Sequence, residues 1–274
     1  MAVRYISSAA NQQVKRLQAL QKKAKLRREE HSFIAEGERL FRDTPPGYIR
    51  EIYVTEKFLG DHGDILEEKL SETEECAGSR DYTVLTPEIF GKISDTRTPQ
   101  GVMCVAQMPR YTKRDLMGRG AEPFLMLLEN IQDPGNLGTI FRTAEAAGVT
   151  GILMSDDTAD LFNPKTVRAT MSAIYRMPFL YVQDFVSEIE TLKKEGIGVY
   201  AAHLGADRFY DAYSYTGGCA FLIGNEGNGL TKEAAKAASD RLLIPMQGRI
   251  ESLNAAMAAG ILMYEAARQR RRQE

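Results

Sequence analysis

The chain has 274 residues, 43% of them hydrophobic and 26% charged, with a formal net charge of −2. A prior of roughly 150 residues per domain gives one or two domains, and the apolar share suffices for a sizeable core. Cys76, Cys104 and Cys219 are too scattered for a disulfide framework or a zinc site, and neither a leader nor a membrane span is legible, so a cytoplasmic protein is expected.

Along the chain, Val14, Leu17, Leu20 and Leu26 predict one helix over 11–29. Its polar face carries Lys15, Arg16, Lys22, Lys23, Arg27 and Arg28 without an acid among them. Such a run suits either a bound polyanion or a solvated face; Arg268 and Arg270 to Arg272 repeat the pattern at the C-terminus. Short strands at 33–35, 49–55, 82–85 and 101–107 alternate with helices at 38–42, 65–70 and 87–93, which describes a small α/β unit. Residues 108–123 are rich in breakers and charge and read as a linker. Beyond them, strands at 124–128, 151–154, 179–182, 198–202, 219–223 and 241–244 alternate with helices at 135–147, 165–172, 185–194, 232–238 and 253–269. Near-continuous apolar strands in that order predict a mostly parallel sheet covered on both faces.

Three Gly/Asn/Pro-rich blocks stand at ends of these strands: Asp133 to Arg142, Leu222 to Leu230, and Ile244 to Asn254. Loops at strand ends are where open α/β sheets bind ligands, so the blocks are expected to share one site. In the first, Asp133 is a plausible N-cap and Pro134 the first helical residue. Arg142, four residues after Gly138, falls on the polar face and leans toward the helix N-terminus, a position suited to a phosphate or to a solvated surface residue. In the second, Glu226 stands alone between glycines, either holding the turn or orienting a partner side chain. In the third, Ser252 reads as a cap, and Asn254 falls inside the first turn of an Ala-rich helix able to pack closely on another helix or subunit. No GxSxG, HExxH or Walker pattern occurs, and His31, His62 and His203 sit in no motif. Transfer of an activated methyl group fits this inventory, because a sulfonium cofactor supplies the driving force and the protein supplies alignment.

In order and content the three blocks resemble the three motifs of the SpoU–TrmH family of RNA ribose 2′-O-methyltransferases over about residues 122–270. More weakly, Phe33-Ile-Ala-Glu-Gly-Glu-Arg-Leu and Thr98-Pro-Gln-Gly-Val resemble that family's L30e-like substrate-binding extension. The resemblance implies an RNA-binding domain over 1–107, a linker over 108–121 and a methyltransferase domain over 122–274. The catalytic domain would be an α/β sheet with a C-terminal trefoil knot, working as a homodimer. It implies S-adenosylmethionine as cofactor, held around Leu222, Gly224, Ile244, Met246 and Leu253, and catalytic roles for Asn136, Arg142, Glu226, Ser252 and Asn254. Members often carry Val-Ser after the last of these, where this chain has Ala255-Ala256. The expected substrate is 23S ribosomal RNA. Alternatives are a transfer-RNA methyltransferase, an antibiotic-resistance methyltransferase, and a non-catalytic RNA-binding assembly protein. A nucleotide-dependent oxidoreductase is disfavoured by the missing dinucleotide fingerprint.

Overall fold

A computed structural model describes residues 2–77, 81–118 and 120–271, so Arg272 of the basic C-terminus lies outside the described residues. The chain divides into one unit made of Met1–Pro109 and Asp160–Tyr175 and a second made of Arg110–Ala159 and Arg176–Glu274.

The first unit is a five-stranded mixed sheet. Its strands are β1 (Val3–Ile6), β2 (Ser32–Glu36), β3 (Ile49–Val54), β4 (Tyr82–Leu85) and β5 (Val102–Gln107), in the order β1-β4-β3-β5-β2. The helix expected over 11–29 is two helices, α1 (Gln12–Lys22) and α2 (Ala24–Glu30), because Lys23 is extended at φ −115° and ψ 106°. Asn11 caps α1, and Val14, Leu17 and Leu20 bury against Ile89, Phe90 and Ile93 of α5 (Pro87–Ile93) and against Tyr53 and Val105 of the sheet. Between these elements lie α3 (Glu38–Asp43) and α4 (Glu56–Ala77), the latter kinked at His62. The stretch expected as a helix over 165–172 is α8 (Pro164–Ala169), which packs on β2. It stops at Thr170, and Met171 and Ser172 follow at φ 49° and 71°. Those left-handed values end any helix of L-residues.

The second unit is a six-stranded parallel sheet in the order β11-β9-β10-β6-β7-β8. Its strands are β6 (Phe124–Leu128), β7 (Gly151–Ser155), β8 (Phe179–Val182), β9 (Gly198–Ala202), β10 (Cys219–Ile223) and β11 (Asp240–Leu242). β6, β7 and β10 are buried along their whole length, as expected of parallel strands covered on both faces. The helices are α6 (Lys113–Leu116), α7 (Pro134–Ala147), α9 (Phe185–Lys194), α10 (Lys232–Ala237) and α11 (Ala255–Arg270). Ala255, Ala256, Ala259, Leu262, Met263 and Ala266 form the buried face of α11, which runs against α7. The last turn of α11 is anchored by Arg270, which donates to the carbonyls of Tyr215, Gly217, Glu122 and Pro123 and lies over the Phe124 ring. Its neighbour Arg268 is paired with Glu265.

Candidate active site

The loops that follow β6, β10 and β11 leave the sheet at the same, C-terminal ends of their strands. β6 and β10 are direct neighbours with Leu128 opposite Ile223, and β11 lies one strand beyond, across β9. Each loop is shaped locally first. Asp133 caps α7 by accepting the Asn136 N–H at 2.8 Å, and Pro134 opens the helix. Asn225 and Gly229 bond each other's backbone at 3.0 and 2.9 Å, and the Asn225 side chain accepts from the N–H groups of Gly227 and Asn228. This tight loop needs glycine at both ends. Gly229 sits at φ +68°, and a Cβ on Gly224 would come within 2.3 Å of the Gly229 backbone.

The three loops are then tied together by one polar chain. Glu226 accepts at 3.0 Å from the backbone N–H groups of Gln132 and Asp133 and from the Asn136 side chain. The Asn136 carbonyl oxygen in turn accepts the Asn254 amide at 2.8 Å. Asn254 is itself the N-cap of α11, its side-chain oxygen accepting from Ala256 and Met257. Blocks one, two and three thus meet in a single row of side chains. Partial burial works to raise the Glu226 carboxyl, but the bonds from Asn136, Gln132 and Asp133 overcome it and hold its pKa below the usual carboxylate value.

Behind this row is a cleft of about 450 Å³, bounded by Ala202–Leu204 after β9, by Ile223 to Leu230, by Leu242 to Met246 and by Glu251 to Ala258. That volume lies within the range of small-molecule sites. The charged side chains along it are the carboxylates Glu226 and Glu251, and no Lys or Arg lines it. An acidic rim over apolar walls and bare glycine backbone suits a nucleoside with a cationic sulfonium. Among the described residues it offers no cationic side chain to the pyrophosphate of a dinucleotide.

The structure gathers Asn136, Glu226 and Asn254 into the polar row, and Gly224, Ile244, Met246, Leu253 and Ser252 into the cleft. Leu222 is not among the cleft residues. It is fully buried within β10, in the core with Leu125, Leu153 and Val199. Ser252 is not the cap of the last helix, a role that Asn254 fills. Arg142 is exposed on α7 and pairs with no carboxylate among the described residues, while Glu226 bonds the first loop. Of the proposed RNA contacts, Lys15, Lys22, Lys23 and Arg28 are exposed. Two are otherwise engaged. Arg16 bonds Glu30 and Glu51, which push its pKa further up. Arg27 is 3% exposed and spans Asp160 and the carbonyls of Leu20 and Gln21. The roles of Asn225 and of the Gln132 and Asp133 amides went unseen in the sequence; the Asn-Glu-Gly-Asn-Gly run signals an Asx turn, but no pattern marks a backbone amide as a carboxylate partner.

Residues 123–264 match the SpoU rRNA Methylase family, and residues 11–104 match the MRM3-like substrate binding domain. The chain is 33% identical over 267 residues to the 23S rRNA (guanosine(2553)-2'-O)-methyltransferase RlmP of Bacillus subtilis, covering 96% of this chain and 98% of that one. The solved structure of an AdoMet-bound rRNA methyltransferase from Sinorhizobium meliloti matches with a TM-score of 0.82 and 31% identity, over 97% of this chain and 98% of that chain. A solved structure concerned with 2-OH methylation of C/U34 on tRNA matches 58% of this chain with 98% of its own, at a TM-score of 0.50 and 27% identity. A two-unit α/β chain with a parallel catalytic sheet and three tied loops is the architecture of a methyltransferase. This chain belongs to the SpoU rRNA methylase family.

Proposed function

We propose that this protein transfers the methyl group of S-adenosylmethionine to a ribose 2′-hydroxyl of large-subunit ribosomal RNA. The observation that carries the reading is the Glu226–Asn136–Asn254 chain, which locks the three motif loops around a cleft whose charges are carboxylates. The full-length match to RlmP, whose name gives 23S rRNA as its substrate, supports the choice of RNA. The tRNA-related structure supports it by contrast, since its whole length corresponds to little more than half of this chain.

When bound, S-adenosylmethionine supplies an electrophilic methyl carbon and a thioether leaving group. The protein's residues align and stabilise. Gly224, Ile244, Met246 and Leu253, which line the cleft, would hold the cofactor. Arg142, with no carboxylate partner among the described residues, would bind the RNA phosphate and stabilise negative charge on the 2′-oxygen. A guanidinium is almost never neutral, so the hydroxyl proton leaves through phosphate or water and not to Arg142. Within the first unit, residues 1–107 serve as the RNA-holding domain, with exposed Lys15, Lys22, Lys23 and Arg28 on and between its first two helices. The methyltransferase domain is the second unit, which begins at Arg110 and takes in most of the expected linker, with Leu116 of α6 buried in its core.

The trefoil knot is carried over from the family, as is a homodimer. The dimer is supported by apolar side chains left exposed on and before α11, namely Ile250, Met257 and Tyr264. Burial pushes the Cys104 and Cys219 thiols up to about 12 and about 11, which leaves little thiolate near neutral pH. Among the described residues no helix is long and apolar enough to cross a membrane. Mapping 2′-O-methylation in ribosomal and transfer RNA from cells with and without the gene tests the reading. Loss of one ribosomal site supports it, and loss confined to tRNA overturns the choice of substrate.

A further inference from the structure

His203 belongs to no motif, and nothing in the row of polar residues uses it. It follows β9 and lines the cleft together with Ala202 and Leu204. Its backbone is held by the Leu242 carbonyl at 3.0 Å, which fixes it beside β11. Its ring is held as well. Nδ1 accepts the Gly205 N–H at 3.0 Å, and a Cβ on Gly205 would lie 3.2 Å from the ring, so glycine leaves the space in which the imidazole packs. With Nδ1 the acceptor, the neutral ring carries its hydrogen on Nε2. That N–H has no partner among the described residues. The residue is half-buried, and the remaining ionisable side chains along the cleft, Glu226 and Glu251, are acceptors on other loops.

We propose that His203 is a positioning residue for the cofactor, donating its Nε2–H to an acceptor on the nucleoside. This rests on the reading of the cleft as the S-adenosylmethionine site. The cleft residues next to His203, namely Ala202, Leu204 and Leu242, are aliphatic, so an oriented ring N–H supplies direction where apolar contact supplies none. A nucleoside offers neutral acceptors, ribose hydroxyl oxygens and adenine ring nitrogens, that match a neutral donor. The amino-acid end of the cofactor carries its own charges and does not need one.

Two substitutions separate donor from scaffold. His203→Asn keeps an acceptor that can hold the Gly205 N–H, as asparagine does two residues ahead of itself in Asx turns, but lacks the reach of Nε2. His203→Gln carries an amide N–H that reaches about as far as Nε2 but holds the turn less well. Calorimetry with S-adenosylhomocysteine and with 5′-methylthioadenosine, which lacks the amino-acid end, reads the result. His203→Asn is expected to weaken both ligands about tenfold and to the same extent, while His203→Gln stays within about threefold of the wild type. Wild-type affinity in His203→Asn with loss in His203→Gln means a purely structural residue and overturns the proposal. Weakening confined to S-adenosylhomocysteine places the contact at the amino-acid end and also overturns it. A wild-type protein that binds neither ligand overturns the cofactor site itself, and the proposal with it.

Discussion

Arg142 and Glu226 divide the work of the site between a group left free and a group fully used. Arg142 is exposed on α7, and among the described residues no carboxylate pairs with it. Arg142→Ala is expected to lower methyl transfer by about 10² to 10³-fold, the usual cost of losing one preorganised charge-stabilising donor, with affinity for S-adenosylhomocysteine unchanged. Single-turnover transfer of labelled methyl groups to RNA, with calorimetry alongside, checks both halves. Glu226 is the opposite case, because its value lies in staying ionised. Its folded pKa lies below the usual carboxylate value, so its contribution to stability is complete above about pH 4.5 and is lost as pH falls through the lower folded value. Glu226→Gln removes the charge and sets an amide against donors, at a cost of about 1 kcal/mol for an exposed set of bonds and thus about 2–4 °C in Tm. Thermal unfolding at pH 7 and pH 3 tests this. The difference between the two proteins should shrink in acid, and an equal difference at both pH values would contradict it.

At the scale of elements, loops do the binding and strands hold them in register. The 224–230 loop is the tightest point, because Gly224 lies against the Gly229 and Leu230 backbone, which cannot yield as a side-chain tip can. Gly224→Ala is therefore expected to abolish measurable S-adenosylhomocysteine binding while the parallel sheet still forms. Calorimetry and far-UV circular dichroism read the two separately, and retained binding would show that the loop can open. The glycines, the Asp133 cap and the strand before each block were legible in the sequence, because cap chemistry and apolar runs are local. That Asn254, and not Ser252, caps α11 was not legible, since both are good caps two residues apart and only the helix start decides between them. The break at Lys23 was equally hidden. The apolar spacing runs across it with no proline or glycine to mark it.

For the whole molecule, the charge pattern is the feature most altered by folding. The basic run at 15–28 reads as one polyanion-binding face, yet Arg27 is buried against Asp160 at 2.6 Å, 133 residues away in the chain. It also satisfies carbonyls in the last turn of α1, where a helix leaves acceptors unpaired. Arg27→Met strands a partly buried carboxylate and those carbonyls together. A loss of about 3–5 kcal/mol is expected from breaking a buried pair on one side, seen as a lower urea midpoint. The same substitution should leave S-adenosylhomocysteine affinity at the wild-type value, because Arg27 lies in the other unit from the cleft.

Asp160–Tyr175 interrupts the second unit in sequence and joins the first in space. Ser172 bonds Asp43, Tyr175 meets Thr44, and Arg168 pairs with Asp95. Local chemistry was enough to determine the strands other than β1 (Val3–Ile6), the parallel character of the second sheet, the glycine-dependent turns and the family motifs, since each is written in a few adjacent residues. Tertiary structure alone decided which basic residues are free, which carboxylate braces which loop, that Leu222 belongs to the core, and that a histidine outside every motif lines the cleft. Those outcomes depend on partners scores of residues apart, and a side chain's solvation is set by what the fold brings against it.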